Sequence, residues 1–257
     1  EVVFDDTDQI TTLLPRYNHL SRRAAAPRPG AYAYEQVIAA NIDQIVPVFA
    51  AANPRPAWHL LDRYLVMAEA AEIPVLVCIT KMDLVAGRCE AKEIERVAAE
   101  YRAIGYPVLL TSTVNGAGLD LFRSALLDRR SLLVGKSGVG KTSLLNELET
   151  GLGLRVQETN HITGKGRHTT TAAQMYPLAG GGAIIDTPGI REFGLWGVEA
   201  GDLAYFFPEM RPYLGQCRFR LNCQHEDEPG CAVRKAAAAG RISPYRYQSY
   251  LKLRTDP

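Results

Sequence analysis

The sequence contains no long apolar run, no excess of charge of either sign and no internal repeat. No stretch reaches the roughly 18 apolar residues that a membrane-spanning helix needs, so we expect no membrane anchor of this kind. The 29 Lys and Arg residues are nearly balanced by 28 Asp and Glu residues, which leaves a formal net charge of +1. Such a chain has no global attraction for nucleic acid, and any basic contact surface has to be local.

Cysteine is scarce, with five residues in a chain of 257. An odd count without a recognisable targeting peptide argues against a secreted disulfide scaffold. We expect Cys78, which lies in an apolar run, to belong to the core, whereas Cys89 is isolated. The other three cysteines cluster near a histidine and are considered below as metal ligands.

The composition divides the chain into residues 1–35, 36–199 and 200–257. The first region is short, with four arginines and no acid between residues 9 and 34, and the last is aromatic and contains the clustered cysteines. The middle region alternates apolar strands with helical patterns, which predicts an α/β domain with a mostly parallel, doubly wound sheet that binds ligands at the carboxyl ends of its strands. The predicted strands are 42–49, 75–80, 108–111, 132–134, 173–178 and 183–186, and the predicted helices are 57–71, 91–104, 119–130 and 142–149.

A glycine-rich segment between a predicted strand and a predicted helix has the spacing of a phosphate-binding loop. It consists of Gly135, Lys136, Ser137, Gly138, Val139, Gly140, Lys141 and Thr142. We expect its backbone N–H groups and the following Ser143 to bind the nucleotide, Lys141 to reach the β- and γ-phosphates, and the Thr142 hydroxyl to ligate Mg²⁺. The alternative is a plain Gly-rich turn, which the strand and helix on either side disfavour.

A second motif, Asp186-Thr187-Pro188-Gly189, ends a later apolar strand. Alone it would be a common turn, but downstream of a phosphate-binding loop it predicts that Asp186 holds Mg²⁺ through water and that the Gly189 N–H contacts the γ-phosphate. Ras-like enzymes use a Gln directly after this motif to orient the attacking water. Ile190 stands there in this chain, so we expect slow intrinsic hydrolysis.

The segment between these two motifs is rich in glycine, charge and threonine, as is typical of a mobile switch loop that orders on the γ-phosphate. Thr170 is our candidate for the threonine that reaches Mg²⁺. His168 is a candidate catalytic residue in place of the missing glutamine, with a merely solvated histidine as the alternative.

A guanine-reading motif, Thr80-Lys81-Met82-Asp83, also follows an apolar strand. The Asp83 carboxylate can accept hydrogen bonds from guanine N1–H and the exocyclic amine, a pair of donors that adenine lacks. The usual motif begins with Asn, and Thr80 keeps a hydroxyl but lacks the amide. Ser112, at the end of a later strand, is a candidate for further contacts to the base, with a simple strand end as the alternative.

The order of these motifs is rotated. In a Ras-like GTPase the phosphate loop comes first and the guanine reader last, whereas here the reader precedes the loop. The sequence therefore predicts a circularly permuted Ras-like P-loop domain.

Three cysteines and one histidine lie within fifteen residues of the C-terminal region, at Cys217, Cys223, His225 and Cys231. Three thiolates and one imidazole are a typical structural zinc set, which closes a tetrahedron and leaves no open catalytic position. The spacing is not the usual Cys-x2-Cys, and the alternative is a group of reduced, unliganded cysteines. A small region with few large apolar residues would gain stability from such a metal.

Taken together, these motifs resemble the ribosome small subunit-dependent GTPase A family. The similarity covers nearly the whole chain and includes the rotated motif order, the hydrophobic residue after Asp-Thr-Pro-Gly, the stretch Gly164-Lys165-Gly166-Arg167-His168-Thr169-Thr170-Thr171, and the metal cluster with its Glu228-Pro229-Gly230-Cys231-Ala232-Val233. That family has an N-terminal OB-fold, a circularly permuted G domain and a C-terminal zinc domain. Its members bind the small ribosomal subunit late in assembly and hydrolyse GTP faster when bound.

The resemblance implies a cytoplasmic, monomeric GTP hydrolase that uses Mg²⁺ with GTP or GDP, holds one structural Zn²⁺, and has the small ribosomal subunit and its rRNA as partners. It also implies nucleotide roles for Thr80, Lys81, Asp83, Lys141, Thr142 and Asp186 and zinc ligation by the four clustered residues. Residues 1–30 resemble only the end of an OB-fold, whose complete barrel has five strands, so we expect a partial N-terminal domain. The first cysteine gap is one residue longer than the family pattern.

Two other functions remain open at this stage. One is a GTP-dependent switch that binds RNA or the ribosome and has negligible hydrolysis of its own, for which Ile190 leaves room. The other is a metabolic P-loop ATPase or kinase, against which Asp83 argues because it selects guanine.

Overall fold

The computed structural model describes residues 2–24, 34–149, 174–186 and 197–255. Within these ranges the strands and α-helices are, in chain order, β1 (Val2–Phe4), β2 (Ile10–Leu13), β3 (His19–Ala24), β4 (Tyr34–Ala40), β5 (Gln44–Ala50), α1 (Trp58–Ala70), β6 (Val77–Thr80), α2 (Cys89–Ile104), β7 (Val108–Leu110), α3 (Leu119–Leu126), β8 (Arg130–Val134), α4 (Lys141–Leu148), β9 (Gln174–Pro177), β10 (Ala183–Asp186), α5 (Ala232–Ala238) and α6 (Pro244–Thr255). Short 3-10 helices cover Met82–Val85, Leu203–Phe206, Pro208–Tyr213 and Arg220–Asn222. No helix in the described part of the chain is long and apolar enough to cross a membrane.

The central sheet has six strands in the order β7-β6-β5-β8-β10-β9. Its first five strands are parallel, and only β9 pairs antiparallel, with β10. The predicted mostly parallel sheet is therefore confirmed. The chain builds outward from β5 through β6 to β7, then returns to the other side of β5 with β8, so the direction of winding reverses next to β5.

The central strand β5 is buried along its whole length, and its side chains pack into two separate cores. Ile45 and Phe49 face the core that contains α1 and α2, whereas Val46 and Val48 face the core that contains α3 and α4. This alternation follows from the two-residue period of a strand covered by helices on both faces. It explains why β5 has a continuous apolar sequence rather than an alternating one.

The predicted helix 119–130 is shorter in the structure, where α3 ends at Leu126. Asp128 adopts a left-handed conformation with φ of 56°, and β8 begins two residues later at Arg130. The Arg130 backbone N–H donates to Asp43 Oδ2 at 2.6 Å, which starts the strand earlier than its apolar residues suggest. The hydrophobic pattern of the sequence does not reveal this polar contact, so the predicted helix was too long and the predicted strand too short.

The described N-terminal residues form two antiparallel pairs, β1 with β2 and β3 with β4. The second pair joins the central sheet through Asn18, whose side chain donates to the Ile42 carbonyl at 2.7 Å and accepts from the Ile42 N–H at 2.8 Å. Strand β4 crosses the expected boundary at residue 35, because its pairing partner lies in the N-terminal region.

The C-terminal region packs on the α1 and α2 face of the sheet, where Leu203, Phe207, Met210 and Tyr250 share one core with both helices. At the centre of this contact Arg246 is fully buried. Arg246 donates hydrogen bonds to Asp62 and Glu209, and Tyr101 donates to Asp62; we call these four residues the buried clasp.

Candidate functional site

Three predicted motifs meet at one edge of the central sheet. The guanine-reading motif follows β6, the phosphate-binding loop follows β8 and Asp186 ends β10. These strands are parallel, so their carboxyl ends lie at the same edge, with β5 between β6 and β8. Residues far apart in the sequence therefore lie around one site at the point where the winding of the sheet reverses.

The phosphate-binding loop is shaped by close backbone contacts. A Cβ at Gly135 would lie 2.4 Å from the carbonyl oxygen of Val48 on the neighbouring strand, so only glycine fits there. Gly140 has φ of 100° and precedes α4, which begins at Lys141. Lys136 and Ser137 are exposed, whereas Thr142 and Ser143 are half-buried in the first turn of α4. The loop thus presents its backbone and its following helix N-terminus toward a phosphate site.

The Lys141 ammonium folds over this loop and donates to the carbonyl oxygens of Gly135 at 2.7 Å and Lys136 at 3.3 Å. Burial lowers the pKa of Lys141, and the nearby carboxylate of Asp186 partly offsets this effect. Asp186 is buried at the end of β10, in register with Leu133 of β8. A cation and a carboxylate therefore flank the start of the phosphate-binding helix.

Thr80 is buried and points at the phosphate loop. Its hydroxyl lies 2.5 Å from the carbonyl oxygen of Val139 and 3.2 Å from that of Phe49. A hydroxyl has one proton to donate, and the shorter distance favours the bond to Val139. The first residue of the predicted guanine reader therefore braces the loop rather than facing solvent.

Lys81 connects the same two parts of the site from a left-handed backbone conformation with φ of 58°. Its ammonium donates to the carbonyl oxygens of Gly138, at 2.7 Å, and of Asn53. Burial lowers the pKa of Lys81, and Asp83 partly offsets this effect. Asn53 was not predicted to belong to the site, although the Asn53-Pro54 dipeptide after a buried strand is a turn signal that could have marked this loop.

Asp83 is oriented by Ser112. The Ser112 hydroxyl donates to Asp83 Oδ1 at 2.6 Å and accepts from the Val114 N–H at 3.2 Å. Ser112 is fully buried, whereas Asp83 is half-buried and lies in the 3-10 helix after β6. The side chain of Ser112, rather than its backbone alone, thus contributes to the guanine-reading end of the site.

Three predicted site residues, His168, Thr170 and Gly189, lie outside the described residues. The described residues bring together the remaining nucleotide candidates, namely Thr80, Lys81, Asp83, Ser112, the phosphate loop from Gly135 to Ser143 and Asp186.

A second site lies in the C-terminal region, where Cys217, Cys223, His225 and Cys231 are all buried. Their ligand atoms lie within 4.8 Å of one another. The Cys217 and Cys231 sulfurs are 3.9 Å apart, and His225 Nδ1 is 3.5 Å from the first and 3.4 Å from the second. The longer first cysteine gap does not remove Cys217 from the cluster.

These distances fit a tetrahedral metal ion. With metal–sulfur bonds near 2.3 Å and metal–nitrogen bonds near 2.0 Å, ideal angles separate two sulfurs by about 3.8 Å and a sulfur from a nitrogen by about 3.5 Å. Backbone N–H groups of Ala232 and Arg234 donate to the Cys217 and Cys231 sulfurs at 3.3 and 3.4 Å. Burial raises the pKa of Cys223 to about 12, so a bound cation would supply the charge that stabilises its thiolate.

The buried clasp fixes the C-terminal region to α1 and α2. Arg246 donates to Asp62 Oδ1 at 2.5 Å and to Glu209 at 2.7 and 3.1 Å. The Tyr101 hydroxyl donates to the same Asp62 oxygen at 2.6 Å, and the guanidinium lies 4.4 Å from the centre of the Phe207 ring. Sequence reasoning missed this set, because no local spacing links residues 62, 101, 209 and 246.

The fold and the nucleotide site define a circularly permuted P-loop GTPase, with the guanine reader ahead of the phosphate loop. The model of the RsgA GTPase family matches residues 13–196. The chain therefore belongs to the RsgA GTPase family.

Relatives and solved structures agree with this assignment. A small ribosomal subunit biogenesis GTPase RsgA from Gemmatimonas aurantiaca is 48 % identical over 251 residues, which cover 98 % of this chain and 79 % of the relative. The protein of the same name from Pseudomonas aeruginosa is 46 % identical over 90 % of this chain and 67 % of its own length. YjeQ from Thermotoga maritima superposes with a TM-score of 0.76 at 31 % identity, covering 96 % of this chain and 77 % of YjeQ. YloQ, described as a circularly permuted GTPase, has a TM-score of 0.68 at 30 % identity and coverages of 98 % and 88 %.

Proposed function

We propose that this protein hydrolyses GTP to GDP and phosphate while bound to the small ribosomal subunit, and that it assists late maturation of that subunit. The proposed GTP hydrolysis rests on one observation: Asp83, Lys141 and Asp186 converge at the carboxyl edge of one parallel sheet. The proposed role in maturation of the small ribosomal subunit follows from the names of the relatives, which are small ribosomal subunit biogenesis GTPases.

In this proposal the guanine end is read by Asp83, which Ser112 holds in place through a 2.6 Å hydrogen bond. Thr80 and Lys81 connect that end to the phosphate loop through the carbonyl oxygens of Val139 and Gly138. Asp83 selects GTP over ATP, because adenine would leave its carboxylate without a pair of hydrogen-bond donors.

At the phosphate end, Lys141 exchanges its contacts with loop carbonyls for the β- and γ-phosphate oxygens, and loop N–H groups from Gly135 to Ser143 bind the same phosphates. Thr142 and Asp186 would hold Mg²⁺, whose charge offsets that of the transferring phosphoryl group. Outside the described residues, we propose Thr170 and Gly189 as γ-phosphate contacts and His168 as the catalytic residue that compensates for Ile190.

We propose that the metal of the cysteine–histidine cluster is one structural Zn²⁺. Three thiols and one imidazole with these separations suit zinc, and four protein ligands leave no position for substrate. Its role is to hold the loop between Cys217 and Cys231 together, because the large apolar residues of this loop, Phe219 and Leu221, are exposed and form no core.

We also propose the three-part division of the chain, with a partial OB-fold up to residue 35, the GTPase region at 36–199 and the zinc region at 200–257. The pairing of β3 with β4 favours moving the first boundary past β4, to the neighbourhood of Asn41. The proposal includes a monomer acting in the cytoplasm, where the small ribosomal subunit is the partner.

The test is GTP turnover by this chain, alone and with purified small ribosomal subunits. We expect low turnover alone, because Ile190 cannot orient water, and strong stimulation by the subunits. Lys141→Ala should lower stimulated turnover at least ~100-fold, as expected for loss of a charge that stabilises the transition state. Lys92→Ala, on the exposed face of α2, is the matched control and should leave turnover unchanged.

The competing function is a GTP-dependent switch with negligible hydrolysis. It would be supported if the chain binds subunits more tightly with a GTP analogue than with GDP, yet shows no stimulated turnover. Equal competition by ATP and GTP would contradict both functions and favour a metabolic P-loop enzyme.

A further inference from the structure

A cavity of about 410 Å³ lies at the amino edge of the central sheet. Its wall includes Gln44, where β5 begins, and Leu76, Pro107 and Arg129, which directly precede β6, β7 and β8. These strands are parallel, so their amino ends share one edge, whereas the nucleotide motifs follow the carboxyl ends. The cavity is therefore separated from the nucleotide site by the length of the sheet.

The size and the apolar lining of this cavity suit a small molecule. Small-molecule sites usually have volumes of about 300–1,000 Å³ and mostly apolar walls with a few polar groups. The apolar part of the wall is Ile73, Pro74, Val75, Leu76 and Pro107. Gly105, directly after α2, also lines the cavity, and beyond its chain neighbours a Cβ there would meet no heavy atom of the described residues within 4 Å. The wall therefore leaves open space beside Gly105.

The polar part of the wall is organised by Gln44, whose side chain is buried. Its Nε2 donates to the carbonyl oxygen of Ala125 and to the hydroxyl oxygen of Ser131, both at 2.9 Å. Its Oε1 accepts from Nη1 of Arg129 at 3.1 Å. Because the amide is held from two sides, Gln44 fixes the Arg129 guanidinium at the wall of the cavity.

Two charged side chains line the cavity, Glu69 and Arg129, and only the first is paired with an opposite charge. Glu69 accepts from the Tyr106 hydroxyl at 2.9 Å and from Arg211 Nη2 at 2.5 Å. Among the described residues, Arg129 bonds the neutral amide of Gln44 and makes no ion pair with an acidic side chain. The wall therefore carries one uncompensated cation, which favours an anionic group in the cavity.

We propose that this cavity binds a small organic carboxylate, with the carboxylate on Arg129 and an apolar body against residues 73–76 and Pro107. A guanidinium has five N–H donors in a planar fork, so the bond to Gln44 leaves donors that can hold a carboxylate in a bidentate manner. The site goes beyond the proposed function, because it shares no residue with the nucleotide motifs. A carboxylate and a nucleotide could therefore be bound at the same time.

The test is a titration of the whole chain with naphthylacetate, followed in two-dimensional amide NMR spectra. Naphthylacetamide, which has the same apolar body without the charge, is the matched neutral ligand. We expect the acid to bind about tenfold more tightly than the amide, because Arg129 forms charge-assisted hydrogen bonds with the acid alone. The amide signals of Leu76, Gly105 and Tyr106 should shift, and excess GDP should not displace the acid.

The variants of Arg129 test the charge directly. Arg129→Gln should weaken binding of naphthylacetate about tenfold and leave binding of naphthylacetamide within about twofold. Arg129→Lys keeps the charge but loses the planar fork, so its affinity for the acid should lie between those of the wild type and Arg129→Gln. Arg88→Gln, exposed at the other end of α2, is the matched control and should change neither affinity by more than about twofold. Unchanged melting temperatures would exclude a general folding effect.

Four results would overturn the proposed carboxylate site. They are no binding of naphthylacetate at millimolar concentration, equal affinities for the acid and the amide, an Arg129→Gln variant that binds the acid as well as the wild type, and displacement of the acid by GDP, which would place it in the nucleotide site. None of these results bears on GTP turnover with ribosomal subunits, so the proposed function stands or falls separately.

Discussion

Two hydroxyl side chains, of Thr80 and Ser112, have different roles in the candidate nucleotide site. The Thr80 hydroxyl replaces the amide that usually begins a guanine-reading motif, yet it is buried and directed at Val139 in the phosphate loop. Its contribution is therefore to the shape of the loop. Ser112 orients the carboxylate of Asp83, which we propose reads the base.

We predict that Thr80→Val weakens GTP and GDP binding alike. The isosteric valine removes the donor and leaves the buried Val139 carbonyl oxygen without this hydrogen bond, at a cost of about 1–2 kcal/mol, or roughly 5- to 30-fold in affinity. Selection of GTP over ATP should stay the same. Fluorescent-nucleotide titrations with all three nucleotides would measure both quantities.

Ser112→Ala is the contrasting variant for this experiment. It frees Asp83 and leaves the phosphate loop intact, so it should reduce the preference for GTP over ATP. If Thr80→Val instead reduced that preference while Ser112→Ala did not, the division of roles between the two hydroxyls would be wrong.

At the scale of elements, the segment from Cys217 to Cys231 is a set of turns without a strand or α-helix. Its described structure consists of one short 3-10 helix and turns in which Arg220 and His225 adopt left-handed backbone conformations. Such a segment buries too little apolar surface to order itself, so we propose that the four clustered side chains cross-link it through a bound metal ion.

We predict that Cys217→Ser lowers the bound zinc well below the one ion per chain expected of the wild type. A serine hydroxyl is a harder and less acidic ligand than a thiol, so the tetrahedron would lose one of its four bonds. The measurement is metal content by mass spectrometry together with the melting temperature, with and without a chelator. Cys89→Ser, at the exposed start of α2, is the control and should change neither value. Full zinc occupancy in Cys217→Ser would exclude Cys217 as a ligand.

In the whole molecule, the GTPase and C-terminal regions share one apolar core, and the buried clasp lies within it. Three of its residues carry charge and are at most 9 % exposed in their side chains. Buried charges are costly to desolvate, and each depends on its partners to offset that cost. The relative position of the two regions therefore depends on charge pairing as well as on apolar packing.

We predict that Arg246→Met destabilises the protein by about 3–5 kcal/mol, because it leaves the buried carboxylates of Asp62 and Glu209 without their cation. Urea unfolding followed by the fluorescence of the two tryptophans would measure the loss. Adding Asp62→Asn and Glu209→Gln should recover part of it, since the uncompensated charges are then removed.

Arg241→Met is the control for this change. Arg241 lies over the ring of Tyr213 on the exposed side of the C-terminal region, so its loss should change stability by less than about 0.5 kcal/mol. Equal effects of the two substitutions would show that the clasp is no more important than a surface contact.

Local sequence patterns were enough to predict the class of fold and most residues of the candidate site. The phosphate loop, the guanine reader and the cysteine–histidine cluster each depend on residues close together in the chain, and each keeps a fixed spacing for a chemical reason. Because the parallel strands are buried on both faces, their sequences are continuous apolar runs that can be recognised without knowledge of the fold.

Contacts between residues far apart in the chain could not be predicted in this way and became visible in the fold. The fold joined Thr80 to Val139, Lys81 to Asn53, and Asp62 to Arg246 across 184 positions. It also ended α3 at Leu126, since the backbone of Arg130 bonds Asp43, which lies directly before β5. Spacing along the chain carries no information about such pairs, because their distance is set by how the sheet and its covering helices pack.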